Sequence, residues 1–123
     1  MTDSKVQYRR ILIKDLDAID ILYEKATTDL GDPLQELRVN RKQRAREMRR
    51  LRQQLLAEQR YLVWLAHVEE SIVGYVAAVL ERQASIFQVD SYAVINELYV
   101  EESYRKQGIG TQLIEYLTAE VHD

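Results

Sequence analysis

One short segment of this 123-residue chain groups the residue types that could do chemistry: Ile95-Asn96-Glu97-Leu98-Tyr99-Val100-Glu101-Glu102-Ser103-Tyr104-Arg105-Lys106-Gln107-Gly108-Ile109-Gly110-Thr111. It reads as strand, short basic loop, glycine turn and helix. A glycine turn that opens a helix leaves several backbone N–H groups unpaired at the positive end of the helix dipole. A diphosphate suits that arrangement, because glycines let its oxygens approach the backbone closely. Two common phosphate loops are excluded. The third glycine of a dinucleotide fingerprint should fall where Leu113 stands, and no Gly-Lys-Ser/Thr occurs.

Other chemistries are bounded by composition. Cysteine is absent, so there is no thiolate nucleophile, disulfide or cysteine metal site, and His67 and His122 are too far apart for a zinc motif. We therefore expect no metal. The apolar fraction of 46% with 30% charged residues is that of a single globular domain, here 1–123. No run of eighteen apolar residues suggests a membrane span, and the first residues lack an apolar signal core. The expected location is cytoplasmic.

The elements that must position the segment follow from periodicity. Val6–Ile13 alternates imperfectly as a first strand, and Asp15 offers an N-cap to a helix with Leu16, Ile19, Leu22, Tyr23 and Ala26 on one side and Asp17, Asp20 and Glu24 on the other. Gly31-Asp32-Pro33 stops that helix and starts a longer one, Pro33 to Gln59, with a seam at Ala45, Met48, Leu51, Leu55 and Leu56. Tyr61–Val68 and Ile72–Leu80 form a hairpin across Glu69-Glu70-Ser71. A polar stretch, Glu81 to Asp90, leads to the strand Tyr92–Val100, and helical spacing returns at Ile109, Leu113, Leu117 and Val121. The order is β-α-α-β-β-β-α.

The long helix is basic. From Arg38 to Arg60, nine Lys/Arg stand against Glu47 and Glu58, a balance of +7; with a total of −3 the rest of the chain carries −10. A solvated helix face is the plain reading of the run Arg38–Arg52. Attraction of an anionic substrate or carrier is a second reading. The acidic remainder and the lack of interleaved aromatics argue against nucleic acid.

The pattern Arg105-x-x-Gly108-x-Gly110 after a strand ending Leu98-Tyr99-Val100 resembles the pyrophosphate-binding motif of the GNAT superfamily of N-acyltransferases, and the element order resembles that family's opening. The resemblance implies an α/β (α+β) fold with a mixed, mainly antiparallel sheet, and acetyl-CoA or another acyl-CoA as co-substrate. It implies that N–H groups from Lys106 to Thr111, through Gln107, Gly108, Ile109 and Gly110, hold the pyrophosphate, together with Arg105 and the Thr111 hydroxyl. Leu98, Tyr99 and Val100 would line the pantetheine arm, with a bulge there exposing an N–H to the thioester oxygen. The reaction implied is attack of an amine on a thioester, which needs proximity, proton removal and stabilisation of the oxyanion. Glu97, three residues before Val100, is the candidate for taking the proton or anchoring the ammonium; Asn96 and Tyr92 are weaker neighbours.

Competing readings stand beside these assignments. Tyr99 and Tyr104 suit core packing better than cofactor contact. His67, inside an apolar run, suits a structural role, and Glu101 and Glu102 read as surface charges. A typical family domain continues with another strand, a helix and two more strands, whereas the sequence here ends at Asp123, so a C-terminally truncated form of the domain is expected and no residue is assigned to protonate the leaving thiolate. The resulting bare edge of Tyr92–Val100, with the half-polar long helix, suggests a homodimer or larger assembly. Two functions follow: an N-acetyltransferase acting on a small amine, peptide N-terminus or lysine, or a non-catalytic acyl-CoA-binding or regulatory module whose basic helix docks an acidic partner.

Overall fold

The structure, a computed structural model, describes residues 5–29, 41–84 and 89–122. The Gly31-Asp32-Pro33 boundary, the first part of the long basic helix and Ile86-Phe87 lie outside the described residues. Within them the order is β1 (Val6–Arg10), α1 (Leu16–Asp29), α2 (Arg41–Ala57), β2 (Tyr61–Val68), β3 (Ser71–Ala84), β4 (Val89–Val100) and α3 (Ile109–His122). The strands form one sheet in the order β1-β2-β3-β4, and every described pair is antiparallel. The mixed α/β architecture expected from the sequence is what forms.

Helices cover both faces of this sheet, which is why β2 and β3 read as apolar runs rather than clean alternations. Against one face, Ile19 and Leu22 of α1 and Leu55 of α2 pack on Tyr61, Val63, Leu65, Tyr75, Ala77 and Tyr99. Against the other, Ile109, Leu113 and Leu117 of α3 pack on Ala66, Val73, Val76 and Ala78. An aromatic group seals the second layer: Tyr116 stacks on Trp64 with centroids 4.8 Å apart and leans on Tyr8 at 5.2 Å. No described helix is long and apolar enough to cross a membrane.

Several boundaries differ from the sequence reading. The first strand ends at Arg10 instead of Ile13, because the chain bends around the buried Asp15. Asp15 does not cap α1. It lies in the 3-10 turn Ile13–Asp15 and accepts the Leu12 N–H at 2.7 Å and the Arg9 guanidinium at 2.7 and 2.9 Å. The β3–β4 hairpin is longer than expected, since pairing continues through the polar stretch to Ala84 opposite Val89. The seam of α2 also shifts: Leu51 is 46% exposed, and Arg52, 1% exposed, takes the inward position between Met48 and Leu55.

Asp15 makes acid stability testable. The Arg9 hydrogen bonds hold its carboxyl below the usual carboxylate range; burial pulls the other way, and the Leu12 N–H adds to the lowering. A depressed folded-state value stabilises the fold above the unfolded carboxylate pKa of about 3.9, and that stability is lost as pH falls through the lower folded value. Asp15→Asn is expected to cost about 2 kcal/mol at neutral pH, from hydrogen bonds to a charged group. Urea unfolding from pH 7 down to pH 2 checks it. The gap between variant and parent should close as the parent's Asp15 protonates, and a gap independent of pH would contradict this account.

Candidate active site

The site is built on an irregularity in β4. Ala77 of β3 stands opposite Glu97, but Ala78 stands opposite Ile95, so Asn96 is an extra residue with no partner across the ladder. Such a bulge bends the strand and re-aims the side chains around it. It lies at Asn96, slightly before the stretch Leu98–Val100 where the sequence reading expected it. Beyond the bulge, Glu97 and Tyr99 share the sheet face that carries α1 and α2, because Tyr99 pairs with the inward-facing Tyr75.

Glu97 does not sit on a solvated strand face. Its Oε1 accepts from the Arg52 Nη2 at 2.7 Å and the Tyr75 hydroxyl at 2.9 Å, and its Oε2 accepts from the Tyr61 hydroxyl at 2.8 Å. Arg52 also donates from Nε to the Tyr61 oxygen at 3.1 Å and from Nη1 to Asp20 at 2.7 Å, with its guanidinium 4.8 Å from the Tyr23 ring centroid. Arg49 extends the chain of charges, donating to Asp17 and Asp20, each at 2.8 Å. Burial works against the charge on Arg52, yet Glu97 and Tyr61 outweigh it and hold its proton more firmly. Burial, then the neighbouring Glu97, pushes both the Tyr61 and Tyr75 phenols above their ordinary range, so both remain hydrogen-bond donors. The basic run is therefore not simply a solvated face: Arg49 and Arg52 are its inward side and bind the acidic side of α1.

A cavity of about 190 Å³ opens beside this network. Tyr23, Ala26 and Thr27 of α1 line it on one side and Asn96, Leu98 and Tyr99 of β4 on the other, with Tyr75 and Glu97 completing the wall. Arg52 and Tyr61 bind Glu97 from its buried side, being 1% and 5% exposed.

The glycine turn follows β4 directly. The 3-10 turn Glu102–Tyr104 leads to Lys106 at φ +64° and Gly108 at φ +81°, and α3 starts at Ile109. The Gly108 carbonyl accepts the Gln112 N–H at 3.0 Å, so the N–H groups of Ile109, Gly110 and Thr111 precede the first intrahelical acceptor. A Cβ on Gly108 would meet nothing within 4 Å, and one on Gly110 only the Val100 Cγ2 at 4.0 Å. Gly74 is the contrast: its Cβ would lie 2.9 Å from the Tyr99 carbonyl oxygen, so it is a glycine of strand packing. Gly108 and Gly110 are not; they leave open space over three N–H groups, the shape and polarity a pyrophosphate fits. Arg105 ties the turn to the strand, donating from Nε to the Val100 carbonyl at 2.8 Å with its guanidinium 5.4 Å from the Tyr99 ring. Lys106, Gln107 and Thr111 are exposed beside it.

Other residues singled out by sequence fall elsewhere. His67 lies at the β2–β3 turn, its Nδ1 2.9 Å from the Glu69 carbonyl oxygen, away from the pocket. Tyr104 packs with the α3 layer, and Tyr99 is buried in the opposite core, although its ring also reaches the pocket. Tyr92 is exposed and does not line the pocket, whereas Asn96 does. Glu101 is paired with Lys25 of α1 at 2.7 Å, so it is more than a surface charge; Glu102 is exposed. Among the described residues no group of three or more His, Cys, Asp or Glu is placed to hold a metal. Sequence reasoning missed Arg52, Tyr61, Tyr75, Asp20 and Tyr23. One signal existed: Arg52 falls at helical spacing from Met48, Leu55 and Leu56, where an apolar residue belongs.

Comparison with known proteins bears on the family and the fold. The model of the Acetyltransferase (GNAT) family matches residues 21–123. No curated protein matches the chain in sequence. A predicted acetyltransferase from Clostridium acetobutylicum, solved with acetyl-CoA, superposes with a TM-score of 0.81 at 20% identity, covering 96% of this chain and 74% of that one. A GCN5-related N-acetyltransferase from Ralstonia eutropha JMP134 gives 0.78 at 21%, covering 96% and 76%. An acetyltransferase from Vibrio fischeri gives 0.73 at 24%, covering 95% and 87%. At these identities the structures speak to the fold.

Proposed function

The chain belongs to the acetyltransferase (GNAT) family, and from that premise we propose that it moves an acetyl group from acetyl-CoA to a primary amine held at Glu97. The observation that carries the reading is the pair of glycines, Gly108 and Gly110, that the fold does not need for packing and that leave the α3 N-terminus open. When bound, acetyl-CoA supplies the acetyl group, an amide C–N bond replacing the thioester C–S bond and free CoA thiol being released.

The chain's own residues do the rest. The N–H groups from Lys106 to Thr111 bind the pyrophosphate, and Leu98, Tyr99 and Val100 line the pantetheine arm, β4 being paired on one side only among the described residues. The bulge at Asn96 leaves backbone polar groups free of the ladder to face the carbonyl oxygen. Glu97 holds the amine. A carboxylate offers about four lone-pair sites, and three donors already occupy Glu97. The remaining site suits an ammonium group waiting to lose its proton, with Arg52, Tyr61 and Tyr75 fixing where the carboxylate points. Support also comes from the Clostridium acetobutylicum structure, which contains acetyl-CoA.

Thiol release from acetyl-CoA across an amine panel tests the reading, with the acetylated amine identified by mass. Amine-dependent release is expected. CoA binding without release on any amine would overturn it in favour of the non-catalytic acyl-CoA module.

A further inference from the structure

We infer that Arg52, held in place by Asp20, is a positioning residue that decides which oxygen of Glu97 is open to the amine: it closes Oε1 and leaves one site on Oε2. For its effect on rate the inference rests on the acyl-transfer reading; for the orientation it rests on the network alone. Stability is a poor reason for Arg52 to be where it is. It is 1% exposed in the inward seam of α2, and a buried ion pair is often replaced by packed apolar side chains without loss.

What the guanidinium offers instead is direction. Its planar fork reaches three elements: Nη1 donates to Asp20 of α1 at 2.7 Å, Nε to the Tyr61 hydroxyl oxygen of β2 at 3.1 Å, and Nη2 to Glu97 Oε1 of β4 at 2.7 Å. Asp20 is itself fixed, since its other oxygen accepts from Arg49 at 2.8 Å. A lysine ammonium, a point charge on a flexible stem, has no such plane.

The carboxylate needs that direction. The last torsion of a glutamate is broad and roughly two-fold, so the side chain alone does not fix its plane. Tyr75 donates to Oε1 at 2.9 Å and Tyr61 to Oε2 at 2.8 Å, one hydroxyl for each oxygen. With these donors alone the two oxygens would be equivalent, each keeping one open lone pair. Arg52 breaks the equivalence. Its Nη2 fills the second site of Oε1, while its Nε occupies the Tyr61 oxygen and so turns the Tyr61 proton toward Oε2. Among the described donors one site stays open, on Oε2, and an ammonium there has a single position relative to β4. Without Arg52 it would divide between two positions, and a misplacement of about 1 Å can cost about 10²-fold in rate.

The test uses the full chain carrying Arg52→Met, Arg52→Lys or Asp20→Asn, each alone and in a Glu97→Gln background, at a temperature where circular dichroism shows it folded. Three quantities are read: kcat and KM on an accepted amine, CoA affinity by calorimetry, and the NMR signals of the Tyr61 and Tyr75 hydroxyl protons. Those signals are assigned by their loss in Tyr61→Phe and Tyr75→Phe. With Glu97 present, both Arg52 variants should lower kcat by about 10-fold or more and Asp20→Asn by about 3-fold, with CoA affinity unchanged. With Glu97→Gln the same substitutions should change kcat by less than about 2-fold, because a residue acting through Glu97 has nothing left to position. A role confined to holding the core would give the same factor in both backgrounds. Asp20, 29% exposed, is the milder site and carries the test should the Arg52 variants not fold. Both hydroxyl signals should shift in every variant that folds, Tyr61 the more. Shifted signals without amine-dependent turnover would leave the orientation standing and sink the acyl-transfer reading. Unchanged signals, or equal rate factors in the two backgrounds, would overturn the inference.

Discussion

Gly110→Val is expected to abolish CoA binding while leaving the domain folded. At Gly110 the backbone is ordinary helix, and a Cβ would meet only the Val100 Cγ2 at 4.0 Å. Gly110→Ala, in the first turn of α3, should cost the fold nothing, since alanine fits the helical backbone there and the added Cβ meets no close neighbour. The protein therefore has no use of its own for the missing side chain. Added methyls would occupy the open space above the N–H groups of Ile109, Gly110 and Thr111. Losing two hydrogen bonds to a charged phosphate, at about 1.5–3 kcal/mol each, corresponds to a fall in affinity of roughly 10²–10⁴-fold. Gly108→Val carries the same blockage plus strain, since φ +81° disfavours any side chain, by about 1–3 kcal/mol. The paired measurement is calorimetry with CoA beside thermal unfolding. Folded Gly110→Val binding CoA normally would return both glycines to the role of a plain turn.

The glycine turn and helix start were legible because their signal is local. A strand, a basic loop and two glycines at fixed offsets fall within about seventeen residues, and backbone geometry at a helix start depends on little else. The element order was equally legible, since Leu16, Ile19 and Leu22 on one helix and Ile109, Leu113 and Leu117 on another repeat at helical spacing and are buried where the spacing puts them. Boundaries failed where side chains at a distance intervene. Asp15 is a good N-cap by type, but Arg9, six residues earlier, turns it inward and ends the strand.

The partners of Glu97 were illegible for the same reason. Arg52, Tyr61 and Tyr75 come from α2, β2 and β3, with separations of 45, 36 and 22 residues. Composition gave Arg52 to a charged surface run, and only its helical spacing from Met48, Leu55 and Leu56 sets it apart from Arg50, which is exposed. Its identity as a core residue follows only once α2 lies across α1 and Tyr61, where one guanidinium can satisfy Asp20, Tyr61 and Glu97 together. Asp17 and Asp20 on the acidic side of α1 and Arg49 and Arg52 of the basic run are thereby joined in one network.

Glu97→Gln is expected to lower kcat/KM by about 10²-fold and also to destabilise the protein, and the two effects have to be separated. The rate effect follows from losing the charge that holds an ammonium and accepts its proton, a contribution commonly of about 10²–10⁴-fold. The stability effect follows from Arg52. With 1% of its side chain exposed, it would keep Asp20 but lose the carboxylate that favours its charge, and breaking a buried pair costs about 3–5 kcal/mol. A lowered rate alone therefore does not distinguish a slow enzyme from a loosened one. The double variant Glu97→Gln with Arg52→Met distinguishes them. Removing both charges and replacing the guanidinium by an apolar side chain is often neutral or stabilising, so the melting temperature should recover most of its loss. The rate should not recover, because nothing in the double variant holds an ammonium. CoA affinity should be unchanged in both, since the glycine turn lies outside the network. If activity returned together with stability, Glu97 would be a positioning residue of the core alone, and the amine would have to be held elsewhere.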